Sequence, residues 1–297
     1  MGEYQALIFE SCLLSISYIF KNKNIINKHN QIMKKTIIIL LAAAAVMSVS
    51  CNNYSKPVAQ QTQEPTYGLS FVIPEGGEWI QMFDGKTLNG WRGYCMDKIP
   101  EGWVVEDGCI TFKGNENKID PEGGDLIYDK KFKNFIFEID WRVSKGGNSG
   151  LFYTAQEVQG KPIYYSSPEY QLLDNENMPD AWEGVDGNRQ AGAVYDMIPP
   201  VPQPVKPYGE WNKTRIVVYN MHVVHYLNDV EILSFDLGTP VWRALVDKSK
   251  FSKFSKDPEK CTDAYDLMLN CGKEPGYIGM QDHGYGVSFK NIRIKEL

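Results

Sequence analysis

The sequence predicts an all-β protein built as a sandwich of two antiparallel sheets, and three observations carry that expectation. Strand-like runs rich in β-branched and aromatic residues recur along the chain, Gly, Asn, Asp and Pro separate them, and no stretch holds a sustained helical stripe. Strands that do not alternate with helices must bury their apolar faces against a second sheet. In chain order the runs are WVVEDGCITF (103–112), FIFEIDWRV (135–143), SGLFYTA (149–155), TRIVVYN (214–220), HVVHYLND (222–229), VEILSFDL (230–237) and VSFKNIRIKEL (287–297).

Each run has its own justification. In FIFEIDWRV the alternation puts Phe135, Phe137, Ile139, Trp141 and Val143 on one face, read as core, and Ile136, Glu138, Asp140 and Arg142 on the other. GGNSG (146–150) follows directly, where adjacent glycines let backbone approach a ligand closely. SSPEYQLLDN (166–175), read as a strand, sets Glu169, Gln171 and Leu173 against Tyr170, Leu172 and Asp174. In LNDVEI, Asn228 and Asp229 form the expected hairpin turn. The exception to the β pattern is Trp242 to Asp266, an Asp/Lys-studded insertion expected to hold a short helix. Trp79, Trp91 and Trp103 are assigned to the core.

The first part of the chain reads differently. MKKTIIILLAAAAVMSVSC (33–51) has a short basic start, an apolar run too short to span a bilayer, and small residues leading to Cys51, the layout of a secretory signal. Its end resembles a bacterial lipobox, in which Cys51 is acylated, so the expectation is a signal peptide over 33–50 and a cell-envelope lipoprotein, periplasm-facing or at the cell surface. Residues 1–32 read as upstream sequence ahead of Met33, and 51–66 as a flexible tether. The remaining stretch, 67–297, is long enough for one domain with a full core. A net charge of −6 without any Lys/Arg block argues against a nucleic-acid partner. The short separations suggest pairing Cys95 with Cys109 and Cys261 with Cys271, although four cysteines leave three connectivities open. No cofactor is implied. Asp120, Glu122 and Asp125 are read as a solvated acidic loop, with a divalent-cation site as the alternative.

Seven ordered stretches then carry a family resemblance: FDGKTLNGWRG (83–93), GGNSGLFY (146–153), PEYQLLDN (168–175), AGAVYDM (191–197), GEWNKTRIVV (209–218), VVHYLNDVEI (223–232) and YIGMQDHGYGVSFKNIRI (277–294). Together they resemble the 3-keto-disaccharide hydrolase domain family over nearly all of 67–297. Two places depart from its pattern: Asn228-Asp229 stands where Asn-Gly is usual, and Asp140 where Glu is common. The resemblance implies a concanavalin A-like jelly roll with a carbohydrate ligand on its concave sheet.

A glycoside oxidised at C3 has an acidified C2 proton and a leaving group β to the ketone. A base can remove that proton and expel the aglycone, after which water adds to the enone. Such a route needs one base, a donor to the leaving oxygen and a donor to the enolate. Glu169 is the candidate base or acid and Gln171 the holder of sugar hydroxyls, with Asp174 structural or hydroxyl-binding. His283, on one face with Gly279 and Gln281, is the second catalytic candidate, since histidine titrates near neutrality. Arg142, Asn148, Tyr195, Trp211 and Gln281 fit sugar recognition. His225 is read as a hydrogen-bonded core residue, with a site role as the alternative. Glu138, Arg142, Glu169, Gln171, Gln281 and His283 are expected to converge on one sheet face. A conventional glycosidase on unoxidised sugar, with Asp140 or Asp174 as second carboxylate, and a non-catalytic sugar binder are the competing readings.

Overall fold

Alternating faces in the longer strands set the plan of the molecule, seen in a computed structural model that describes residues 72–114, 124–254 and 263–297. The described residues fall in the unit Phe71–Leu297; Cys51, the signal and the tether lie outside them. The strands are β1 (Trp79–Gln81), β2 (Trp91–Gly93), β3 (Trp103–Glu106), β4 (Cys109–Phe112), β5 (Leu126–Phe132), β6 (Phe135–Val143) and β7 (Asn148–Ala155). They continue with β8 (Glu169–Leu173), β9 (Asn212–Tyr219), β10 (His222–Leu227), β11 (Val230–Asp236), β12 (Gly276–Met280) and β13 (Val287–Glu296). An eight-stranded sheet runs β11-β10-β9-β6-β13-β4-β3, with β1 also paired to β13, and a five-stranded sheet runs β2-β5-β12-β7-β8. The two form an antiparallel jelly-roll sandwich.

Phe135, Phe137, Ile139 and Trp141 of β6 are fully buried and meet Leu151, Tyr153, Tyr170, Leu172, Ile278 and Met280 from the smaller sheet. Each such burial stabilises by roughly 1.5–3 kcal/mol, so a one-residue slip of β6 would turn several of these side chains to water at once. The Trp141 indole N–H is satisfied inside by Thr214 Oγ1 at 2.9 Å. Trp91 and Trp103 are buried as expected, whereas Trp79 is half-buried under the Arg293 guanidinium, 4.2 Å from its ring centre. Asn228 and Asp229 both adopt left-handed φ (51° and 65°), the requirement of a type I′ hairpin, so the turn forms without the usual glycine.

The insertion holds more helix than expected. After α1 (Asp180–Glu183), the helices α2 (Pro240–Lys248), α3 (Lys250–Phe254) and α4 (Asp263–Asn270) follow β11. Thr239 caps α2 by accepting the Trp242 N–H at 3.1 Å, with Pro240 in the first turn. Trp242 stacks on Phe235 of β11 at 5.4 Å and donates its indole N–H to the Met268 carbonyl, which ties the insertion to the sandwich.

The suggested Cys95–Cys109 pairing does not form, because the two residues belong to different sheets: Cys109 opens β4, and Cys95 follows β2 and donates its N–H to Glu157. Cys271 is also a free, buried thiol, and Cys261 lies outside the described residues.

Candidate active site

The outer face of the smaller sheet is organised in rows by strand register. Phe152 stands beside Glu169 and Gly279, and Gly279 beside Ile127; the next row brings Gly150 beside Gln171, with Gln281 donating its N–H to the Gly150 carbonyl. Asn148 and Leu173 form the row after that. One end of this face is closed by apolar side chains. The 3₁₀ turn Ile163–Tyr165 lays Ile163 on Gly279 and completes a cluster with Tyr94, Ile127, Phe152 and Ala155.

At the edge of that cluster stands Glu169, only 6% exposed. Its carboxylate leans over Gly150, where any β-carbon would collide with it. Among the described residues no hydrogen-bond donor reaches the carboxylate, and no ion pair within 4.0 Å joins it to a cation. Burial pushes the Glu169 carboxyl up to about 7, against the pull of the Lys250 ammonium and helped by the negative charge of Asp180. A second carboxyl behaves alike: burial pushes Asp125 up to about 7, although it accepts the Asp282 N–H at 2.9 Å, and the charges of Asp282 and Glu169 add to the rise.

The opposite wall comes from the chain between β8 and β9 and from the insertion. Tyr195 donates its N–H to the Glu169 carbonyl and its hydroxyl to Asp180. Arg189 clamps Asp180 and Asp196, each at 2.9 Å, and lies 5.2 Å over the Tyr195 ring. Asp196 also accepts the Lys250 N–H at 2.8 Å, and Lys250 Nζ sits 4.3 Å from the Tyr195 ring centre and 4.5 Å from that of Tyr164. Two buried acceptors on the sheet face, Asn148 Oδ1 and Gln281 Oε1, have no hydrogen-bond partner among the described residues. Unpaired buried acceptors are costly, and sugar hydroxyls are donors that would satisfy them.

Of the residues singled out from sequence, Glu169, Gln171, Asn148, Gln281 and Tyr195 share this neighbourhood. Gln171 is buried on the same face, its Oε1 accepting the Leu172 N–H. His283 follows the end of β12, half-buried against Tyr285 at 5.9 Å between ring centres. By register it lies beyond Gln281, level with Asn148 and, like Asn148, on the order of 13 Å along the strands from the Glu169 row.

The others are elsewhere. Arg142 and Glu138 sit on β6 of the larger sheet, so the expected convergence of six residues does not occur: an edge strand of one sheet cannot share an outer face with a central strand of the other. Glu138 is clamped by Arg215 and Arg293; burial works to raise its pKa, but these two cations hold it below the usual range. Arg142 stacks over Trp211 at 4.8 Å, which places Trp211 on that remote face as well. Asp174 is used as a turn carboxylate, accepting the Gly146 and Glu176 N–H groups and the Asn177 amide. His225 is sealed between the sheets, held by the Gly192 carbonyl at 3.1 Å and the Tyr153 hydroxyl at 3.0 Å, and burial lowers its pKa to about 3. It is a neutral, hydrogen-bonded core histidine.

Sequence reasoning missed Lys250, Tyr164, Asp180 and Arg189, and read Asp125 only as part of the acidic loop. Asp125 was within reach of the alternation rule, since it shares a face with Ile127. Lys250 carries no local signal within KSKFSKF. Asp120 and Glu122 lie outside the described residues, and among the described residues no group of three or more His, Cys, Asp or Glu is arranged to hold a metal ion.

Residues 78–295 match the sequence profile of the 3-keto-alpha-glucoside-1,2-lyase-like domain. A 3-keto-disaccharide hydrolase of Bacteroides thetaiotaomicron is 48% identical over 282 residues, covering 86% of this chain and 96% of that protein. Among solved structures, one described as a glycosyl hydrolase of Parabacteroides distasonis superposes with a TM-score of 0.60 at 30% identity, covering 76% of this chain and 98% of that one. A second structure so described from the same organism shares the fold, with a TM-score of 0.53 at 22% identity, covering 74% and 100%.

Proposed function

The chain belongs to the 3-keto-alpha-glucoside-1,2-lyase-like family, and on that footing we propose that it cleaves the glycosidic bond of 3-keto-disaccharides and related 3-keto-glycosides. The route is removal of the C2 proton, elimination of the aglycone and addition of water to the enone. The observation that carries this reading is the Glu169 carboxylate, buried without a hydrogen-bond or ion-pair partner among the described residues, on a sheet face that also holds two unpaired acceptors, where burial pushes it up to about 7. A base tuned close to neutral pH is well matched to abstracting a proton next to a ketone.

Glu169 takes the C2 proton, and the C–H electron pair becomes the enolate. The enolate then expels the C1 oxygen, which takes up a proton as it leaves. Asp125, which burial keeps protonated up to about pH 7, is the donor the site supports best for that oxygen. His283, further along the face, is the alternative donor. Asn148 and Gln281 accept from sugar hydroxyls, and Gln171 holds the floor between them.

A conventional glycosidase would require a second carboxylate across the bond. Of the two carboxylates read for that role, Asp140 lies on the remote face accepting from Asn291 and Asp174 is occupied by its turn, so a conventional route would have to run through Glu169 and Asp125, and the substrate decides between the two. Turnover in deuterated water tests the proposal. Product from a 3-keto-glucoside should carry deuterium at C2 above the exchange of the free keto-sugar, and an unoxidised disaccharide assayed alongside should be left intact. Cleavage of the unoxidised sugar without C2 labelling would overturn it.

The envelope location also belongs to this reading. Cys51 is proposed as the acylated residue that anchors the domain, on the strength of the apolar run and small residues before it.

A further inference from the structure

We infer that Lys250 is a catalytic residue of this site, its ammonium receiving the C3 oxygen as the enolate forms. The inference rests on the proposed elimination.

Three features of the structure lead to it. Lys250 comes from the helical insertion, yet its side chain leaves the insertion and points at the sheet face. Its Nζ is bracketed by the rings of Tyr195 at 4.3 Å and Tyr164 at 4.5 Å, with Phe251 at 5.5 Å; burial lowers its pKa, and these ring faces together with the charges of Glu169 and Asp196 work to keep it a cation. Those two tyrosines belong to the walls on either side of Glu169: Tyr195 is bonded to the Glu169 backbone, and Tyr164 stands in the 3₁₀ turn that covers Gly279.

The second feature is a gap. Lys250 and Glu169 attract one another, yet no ion pair within 4.0 Å joins them, and no hydrogen-bond acceptor is recorded for Nζ among the described residues. Were the pair purely structural, the two long side chains would close on each other, because an uncompensated charge is expensive away from water. Held apart, they leave a place for a group that gives a proton to one and negative charge to the other. The C2–H and C3=O of a 3-keto-sugar are such neighbours.

The third feature is support. The Lys250 N–H is fixed to Asp196, which Arg189 clamps from the other side, so the root of the side chain is held, and the Tyr195 and Tyr164 rings hold its far end. Preorganised positive charge aimed at a developing oxyanion is worth about 10²–10³ in rate for a single donor. The step balances without any added reagent: the C2 proton passes to Glu169, the C–H pair forms the C2–C3 double bond, and the carbonyl pair moves to O3 beside the ammonium. Collapse of the enolate then breaks C1–O.

Lys250→Met tests this on two 3-keto-glucosides, one with an activated aryl leaving group and one with an alkyl group. Turnover should fall by about 10²–10³ on both, because the enolate precedes bond cleavage, and C2 deuteration should fall with it. Loss of the ammonium also removes the charge that holds Glu169 down, so the acid limb of kcat/KM should move up relative to the wild type. Lys250→Arg keeps the charge and should keep that limb in place with a smaller loss.

Lys250→Met within about threefold of wild type on both substrates, or a fall confined to the alkyl glycoside, would overturn the inference, the latter by making Lys250 a leaving-group donor. If Lys250→Met fails to fold, Lys250→Arg decides, and a limb displaced in that variant rejects the role. Wild-type enzyme that cleaves without labelling C2 rejects the elimination itself, an outcome separate from either.

Discussion

Replacing Glu169 by Gln should make the protein more stable and nearly inactive, and both effects follow from the same burial. The folded state raises this carboxyl from 4.5 to about 7, so between those pH values the folded protein keeps a proton that the unfolded chain has released. Stability therefore falls as pH rises through that window, with no penalty below about 4.5 and the full penalty above about 7. At about 1.36 kcal/mol per pKa unit the penalty reaches about 3 kcal/mol, which in a domain of this size is roughly 6–12 °C in Tm. Glutamine occupies the same space without ionising. Thermal melts of both proteins from pH 4 to 8 should coincide at the acid end and separate progressively above it, the variant melting higher. Turnover of a 3-keto-glucoside should meanwhile fall by about 10²–10⁴, the worth of a positioned acid or base. A difference in Tm that is flat across the pH range would refute the buried-charge argument. Retention of more than about a tenth of the activity would refute the role of Glu169 as base.

The donor to the leaving oxygen is found by comparing Asp125→Asn with His283→Ala. The correct one should lose activity on alkyl 3-keto-glucosides and recover most of it on aryl ones, while the other shows no such split. Cys51→Ser should move the protein from the membrane fraction to the soluble one with kcat unchanged, and a variant still in membranes would count against the anchor. Glu138→Ala removes the carboxylate that the half-exposed Arg215 and Arg293 share on the remote face and, because both guanidiniums stay solvated, should cost only about 1 kcal/mol in a denaturant melt with no change in kcat.

How much of this was legible in the sequence depended on whether the signal was local. FIFEIDWRV states its own strand and its own buried face, and β6 spans Phe135–Val143 with that face inward. The same rule, applied to SSPEYQLLDN, put Glu169 and Gln171 together correctly, because strand parity is a property of five neighbouring residues. It cannot tell which polar face lies beside which, so on parity alone Glu138 and Arg142 look like members of a sheet to which they do not belong. Lys250 was beyond reach for a related reason. A lysine in a polar insertion looks solvated until Trp242 docks on Phe235 and turns the chain toward the cleft. Arg142, Trp211 and His225 have the composition of a sugar site, but register and burial, both set by distant chain, decide where such side chains end up.

Gly150 gives the most compact expression of what the fold does for the chemistry. It offers no functional group, its backbone is not in the left-handed region, and it is set apart only by what it lacks. The reactive carboxylate occupies the volume that every other amino acid would fill with its first side-chain atom. The position of the base is thus written as a vacancy in the neighbouring strand, so a single methyl group added there would evict Glu169 while leaving every charge in the cleft intact.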